Sequence, residues 1–119
     1  RRDIAKFYDQ SLSETEYILP FQNENTKSSF HLYPIRVNFE KCKKNQKDIF
    51  DHLKKANIFA NLHYIPIYRQ PFFEKLGFKE GYCPESEAFH REAISIPVYP
   101  DLKREDQKKV ISALTDALV

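Results

Sequence analysis

Glycine is almost missing from this chain of 119 residues: only Gly77 and Gly81 occur. Loops that cradle phosphates need several residues tolerant of positive φ and of close backbone approach, so Rossmann and P-loop readings are excluded. Methionine is absent even at position 1. A chain that opens Arg1-Arg2 and runs directly into a helical pattern reads as a piece of a longer polypeptide. Cysteine is scarce too, and Cys42 and Cys83 lie far apart with no CxxC spacing. That rules out a disulfide framework or a zinc knuckle and points to a reducing cytoplasm. No apolar run approaches the ~20 residues of a membrane span, and no signal-peptide pattern opens the chain. An excess of one charge is also lacking, since 19 Lys and Arg face 17 Asp and Glu. The densest basic stretch, Lys41 to Lys47, is bounded by Glu40 and Asp48. It reads as a solvated loop and helix start, not as a nucleic-acid stripe.

What the chain does carry is aromatic: ten Phe and seven Tyr, enough that ring packing should dominate its core. Its length suits one domain over residues 1–119. Ile4, Ala5, Tyr8 and Leu12 recur at helical spacing and predict a helix over Arg1–Leu12. Phe30–Val37 is rich in aromatic and β-branched residues and predicts a strand, with Pro34 at a bulge or free edge. Ile49, Phe50, Leu53 and Ala56 predict a helix over Asn45–Ala56. Leu62–Ile65 and Ala93–Val98 read as further strands. Pro84-Glu-Ser-Glu-Ala opens another helix, and Val110, Ile111, Leu114, Ala117 and Leu118 close the chain with a last one. Between them, Pro66 to Pro84 is irregular, with one helical turn expected at Phe72–Leu76. The fold class is α+β: a small sheet of three or four strands flanked by helices on one face, with strand direction left open.

Candidate chemistry is sparse. His31, His52, His63 and His90 show no i, i+4 metal spacing, and no metal or catalytic set emerges. His52 and His90 sit in charged helical segments and read as structural. Cys83 reads as a small hydrophobe, and Glu85 and Glu87 as acids favouring a helix N-terminus. His63 and Tyr64 differ, because they end a predicted strand where it feeds the irregular loop. With Ile65, Tyr68, Arg69, Gln70 and Pro71 they offer polar tips, a stacking face and planar donors. A sugar or a base would use such groups, and so would an interface between domains.

Three stretches in this order resemble the DegT/DnrJ/EryC1/StrS family of sugar aminotransferases. They are His31-Leu-Tyr-Pro-Ile-Arg36; Leu53 to Ile58 running into His63-Tyr-Ile-Pro-Ile-Tyr-Arg-Gln-Pro71; and Pro84-Glu-Ser-Glu87 with Ile94-Ser-Ile-Pro-Val-Tyr-Pro100. The segment from Tyr68 to Phe73 is similar to the branch that makes 4-amino sugars for pseudaminic acid. Many relatives have histidine where Tyr68 stands. Asn57 replaces the usual helix-ending glycine, and Lys103 replaces a Ser or Thr cap, a role Asp101 is expected to take over. The resemblance implies that the chain is the C-terminal small domain of a fold-type-I enzyme whose large domain is absent here. That large domain would bind pyridoxal phosphate through a lysine, so no cofactor, no catalytic residue and no activity is expected of this piece alone. Implied partners are a nucleotide sugar, glutamate, the large domain of the same chain and a second subunit in a homodimer; no nucleic acid and no membrane. His63, Tyr64, Ile65, Tyr68, Arg69, Gln70 and Pro71 would bind the substrate. The competing expectation is a self-contained α+β adaptor with an aromatic protein-binding surface.

Overall fold

The computed structural model describes residues 1–119. Its first helix, α1 (Arg2–Leu12), buries Ile4, Ala5, Tyr8 and Leu12, the residues that recur one turn apart. Two strands follow, β1 (Tyr17–Ile18) and β2 (Tyr33–Val37), and then α2 (Gln46–Lys55). A 3-10 turn (Ile67–Arg69) and a one-turn helix, α3 (Pro71–Lys75), lead to α4 (Pro84–Glu92). β3 (Ala93–Ile96) and α5 (Arg104–Leu118) complete the chain.

The strands lie in the order β1-β2-β3, every pair antiparallel. Tyr33 faces Ile96 and Ile35 faces Ile94. Because side chains alternate along a strand, Tyr33, Ile35 and Val37 point to one face with those two isoleucines. Tyr8 from α1, Ile49 and Leu53 from α2, and Val110 and Leu114 from α5 complete the same core. The fold is therefore α+β, a three-stranded sheet with α1, α2 and α5 packed on one face. Polar groups inside it join distant parts of the chain. Gln107 donates to the Ile4 carbonyl, Tyr8 to that of Pro97 and Tyr17 to that of Leu114, each at 2.9 Å.

Helix ends follow local chemistry. Asn45 caps α2 by accepting the Asp48 amide at 2.9 Å, while the Asp48 carboxylate accepts the Asn45 amide at 3.3 Å. At the other end Asn57 takes φ 60°, the left-handed conformation expected of it. The amides of Asn57 and Ile58 then reach the carbonyls of Lys54 and Leu53, closing the helix.

Two expectations need correction, and one strand was not expected. Leu62–Ile65 is not a strand; only Asn61 pairs with Ser95, through two backbone bonds of 2.8 and 3.0 Å. Tyr64 and Ile65 turn outward into solvent instead, just before Pro66, which lacks an N–H for a ladder. The third strand is Tyr17–Ile18, a two-residue element too short to leave a periodic signal. Nor does Asp101 cap α5. Lys103 occupies the cap position with no side-chain bond, and Asp101 lies two residues too early. Glu105 and Asp106 in the first turn provide negative charge there.

Candidate functional site

Between Phe59 and Cys83 only Pro66 and Tyr68 are buried, so this excursion is an arm and not part of the core. The radius of gyration, 15.4 Å, exceeds the roughly 13.5 Å of a compact chain this long. The arm has a small aromatic spine of its own. Tyr68 packs on Tyr82 (ring centroids 5.4 Å apart), Tyr82 on Phe78 (4.9 Å) and Phe78 on Phe73 (6.2 Å). Pro71 starts α3, and Gly77 at φ 99° ends it with the amide of Phe78 on the Phe73 carbonyl.

Hydrogen bonds tie the arm to α4, and ion pairs brace the arm itself. The Tyr68 hydroxyl donates to Glu87 Oε1 and accepts the Cys83 amide at 3.3 Å. The same Glu87 oxygen accepts the Gly81 amide at 2.7 Å. These two bonds, Tyr68's first, hold the Glu87 carboxyl below the usual carboxylate range. Burial and the adjacent carboxylate push the Tyr68 hydroxyl up, so the donor stays protonated. Arg69 pairs with Glu74 at 3.1 Å and Glu80 at 3.5 Å. A polar hollow of about 250 Å³ lies between arm and helix, lined by Ile65, Pro66, Arg69, Glu80, Glu87, His90 and Arg91. Glu87, His90 and Arg91 reach it from one face of α4, being three and four residues apart.

Of the seven expected binding residues, Arg69 and Ile65 line this hollow. Tyr64 is 72% exposed, and Gln70 and Pro71 are exposed too. His63 is half-buried, its ring 4.7 Å from that of Tyr64 and its Nδ1 enclosed without a partner. Tyr68 is only 6% exposed, so its ring supports the arm from beneath. Reasoning from the residues missed Glu80, Glu87, His90 and Arg91. The spacing of Glu87, His90 and Arg91 was a signal, but nothing local said which way that face of α4 points. A second hollow, about 600 Å³, runs between the end of α2 and the start of α5, past Phe59, Tyr99 and Leu102, and holds none of the seven. No three His, Cys, Asp or Glu side chains come together as a metal site. No helix is long and apolar enough to cross a membrane.

Residues 1–115 match the model of the DegT/DnrJ/EryC1/StrS aminotransferase family. The chain belongs to that family. It is 34% identical over 116 residues to an uncharacterized protein of Methanocaldococcus jannaschii, covering 96% of this chain and 30% of the relative. It is 31% identical over 119 residues to the UDP-4-amino-4,6-dideoxy-N-acetyl-beta-L-altrosamine transaminase of Campylobacter jejuni, covering 99% of this chain and 31% of that enzyme. Its fold matches Helicobacter pylori PseC, an aminotransferase involved in the biosynthesis of pseudoaminic acid, with a TM-score of 0.84 and 28% identity. That match covers 98% of this chain and 31% of PseC. The chain thus spans about a third of the length of these relatives. The family implies pyridoxal phosphate in the whole enzyme. A Schiff-base lysine works from a desolvated site, and no lysine here is buried. Within these residues no desolvated lysine is offered to hold that cofactor.

Proposed function

We propose that this chain is the C-terminal small domain of a pyridoxal-phosphate enzyme that moves an amino group from glutamate to a UDP-4-keto-6-deoxy-sugar. The observation that carries this reading is the likeness along the whole of this chain to a transaminase named for a UDP-4-amino-4,6-dideoxy sugar, the amino counterpart of such a keto-sugar, and in fold to PseC. In it the cofactor is held by residues outside this chain, and the domain acts within a homodimer in the cytoplasm. The work of this chain is positioning. The arm from His63 to Pro71 meets the sugar nucleotide, with Tyr64 offering an exposed ring and Arg69 a guanidinium already oriented by Glu74 and Glu80. Pro66 and Pro71 stiffen the backbone, so less freedom is lost when substrate binds.

The two half-reactions of the intact enzyme test this separately by stopped flow. Tyr64→Ala and Arg69→Ala should each lower kcat/KM for the keto-sugar by about tenfold or more, the loss expected of a hydrogen bond or a stacked ring. The glutamate half-reaction should stay near normal, because it does not need the sugar site. A collapse of the glutamate half-reaction with the keto-sugar step untouched assigns the arm to the cofactor or the fold instead.

A further inference from the structure

We infer that Glu87 is a positioning residue, the fixed point that sets the shape of the substrate-binding arm. The inference rests on the reading that the arm meets the sugar nucleotide, but its geometry stands independently. Glu87 is 8% exposed, and one oxygen of its carboxylate holds both ends of the excursion: the Tyr68 hydroxyl from the near limb and the Gly81 amide, at 2.7 Å, from the far limb. Thirteen residues apart in sequence, the two limbs meet on one atom. Gly81 can turn its N–H there because it adopts φ 87°, a region closed to most side chains.

The helix that carries Glu87 is itself pinned. Gln46 donates to the carbonyls of His90 and Ala93 at 2.9 and 2.6 Å, fixing the junction of α4 and β3 to the start of α2. Arg36 of β2 pairs with Glu92 at 3.4 Å. Glu87 therefore transmits the position of the core to an arm that shares little packing with it. Tyr68 follows Ile67 and precedes Arg69, so locking the Tyr68 ring also sets where the Arg69 guanidinium and the outward Ile67 point. A carboxylate on a pinned helix, holding two limbs of a substrate-facing loop, supplies preorganisation: the binding groups wait in place.

The test compares Glu87→Ala with Glu87→Gln in the intact enzyme. Both bonds fall on one oxygen, and an amide oxygen can accept both, so glutamine should keep the clamp while alanine loses it. Hydrogen exchange in Glu87→Ala should quicken by about tenfold or more over Ile67–Tyr82, with β2 and β3 unchanged. In Glu87→Gln it should stay close to wild type. KM for the keto-sugar should rise about tenfold in Glu87→Ala and recover in Glu87→Gln, while the glutamate half-reaction is unaffected in both. Unchanged exchange over the arm in Glu87→Ala overturns the clamp, and quickened exchange throughout the sheet shows a general structural role instead. If Arg69→Ala raises the keto-sugar KM and Glu87→Ala does not, the arm binds substrate but Glu87 does not position it. If neither variant moves that KM, the functional reading itself falls, and the role of Glu87 in binding falls with it.

Discussion

Tyr8, Tyr17 and Tyr33 each place a hydroxyl inside the core, and burial is the main force raising all three above the ordinary tyrosine value. For Tyr33 the neighbouring Asp9 carboxylate, which accepts its hydrogen bond, adds to the effect. A raised tyrosine favours the folded state while the hydroxyl is neutral in both states. That stability is fully present below about pH 10, where the unfolded chain begins to ionise, and is lost as pH rises further. Denaturant unfolding at a series of pH values should therefore show a steep alkaline loss, shallower by about a third in the Tyr33→Phe variant because Tyr8 and Tyr17 remain. Glu87 has the opposite sign: its lowered carboxyl contributes above the ordinary carboxyl range and fails only as pH falls through its depressed value. The clamp on the arm is accordingly intact at neutral pH. Gly81 gives a sharper residue test, because a Cβ placed there meets nothing within 4 Å. Gly81→Ala should still cost about 1–2 kcal/mol in unfolding experiments, all of it from the positive φ. A neutral result means that the turn relaxes.

At the scale of elements, α2 shows how short-range chemistry sets a helix. Its cap, its closing Asn57 and its buried Ile49 and Leu53 lie within 13 residues. Asn45→Ala should lower stability by about 1 kcal/mol, because the Asp48 amide loses its acceptor. Thermal unfolding against an Asn45→Ser control, which keeps an acceptor, separates the cap from the change in size. The arm is an element of another kind. Its aromatic spine is local, but its attachment depends on a helix that begins after it ends.

Over the whole molecule, α1, α2 and α5 cover one face of the sheet, while large apolar side chains elsewhere stay in solvent. Phe21, Phe59, Tyr64, Ile67, Phe72, Leu76 and Tyr82 are each more than half exposed. Surface of this kind is normally covered by a partner. The isolated chain is expected to self-associate with concentration in sedimentation velocity. A monomer throughout the accessible range means that the exposed rings need no neighbour.

Read from residues alone, α1, α2, α4, α5, β2 and β3 are all legible, because periodicity, caps and proline positions act over one or two turns of chain. The clustering of aromatic and planar polar groups over residues 63–71 is legible as well, because those groups are neighbours in sequence. Three features were decided only by the tertiary structure. Tyr17–Ile18 becomes a strand because Arg36 and Val37 are there to pair with it. Leu62–Ile65 fails to become one because Tyr64 and Ile65 have no sheet edge to join beyond the single bridge at Asn61. Glu87 becomes the fixed point of the arm because Tyr68 and Gly81 arrive at its carboxylate from opposite limbs. Short-range preferences are written in neighbouring residues; which groups meet across a loop is set only when the core fixes where the elements stand.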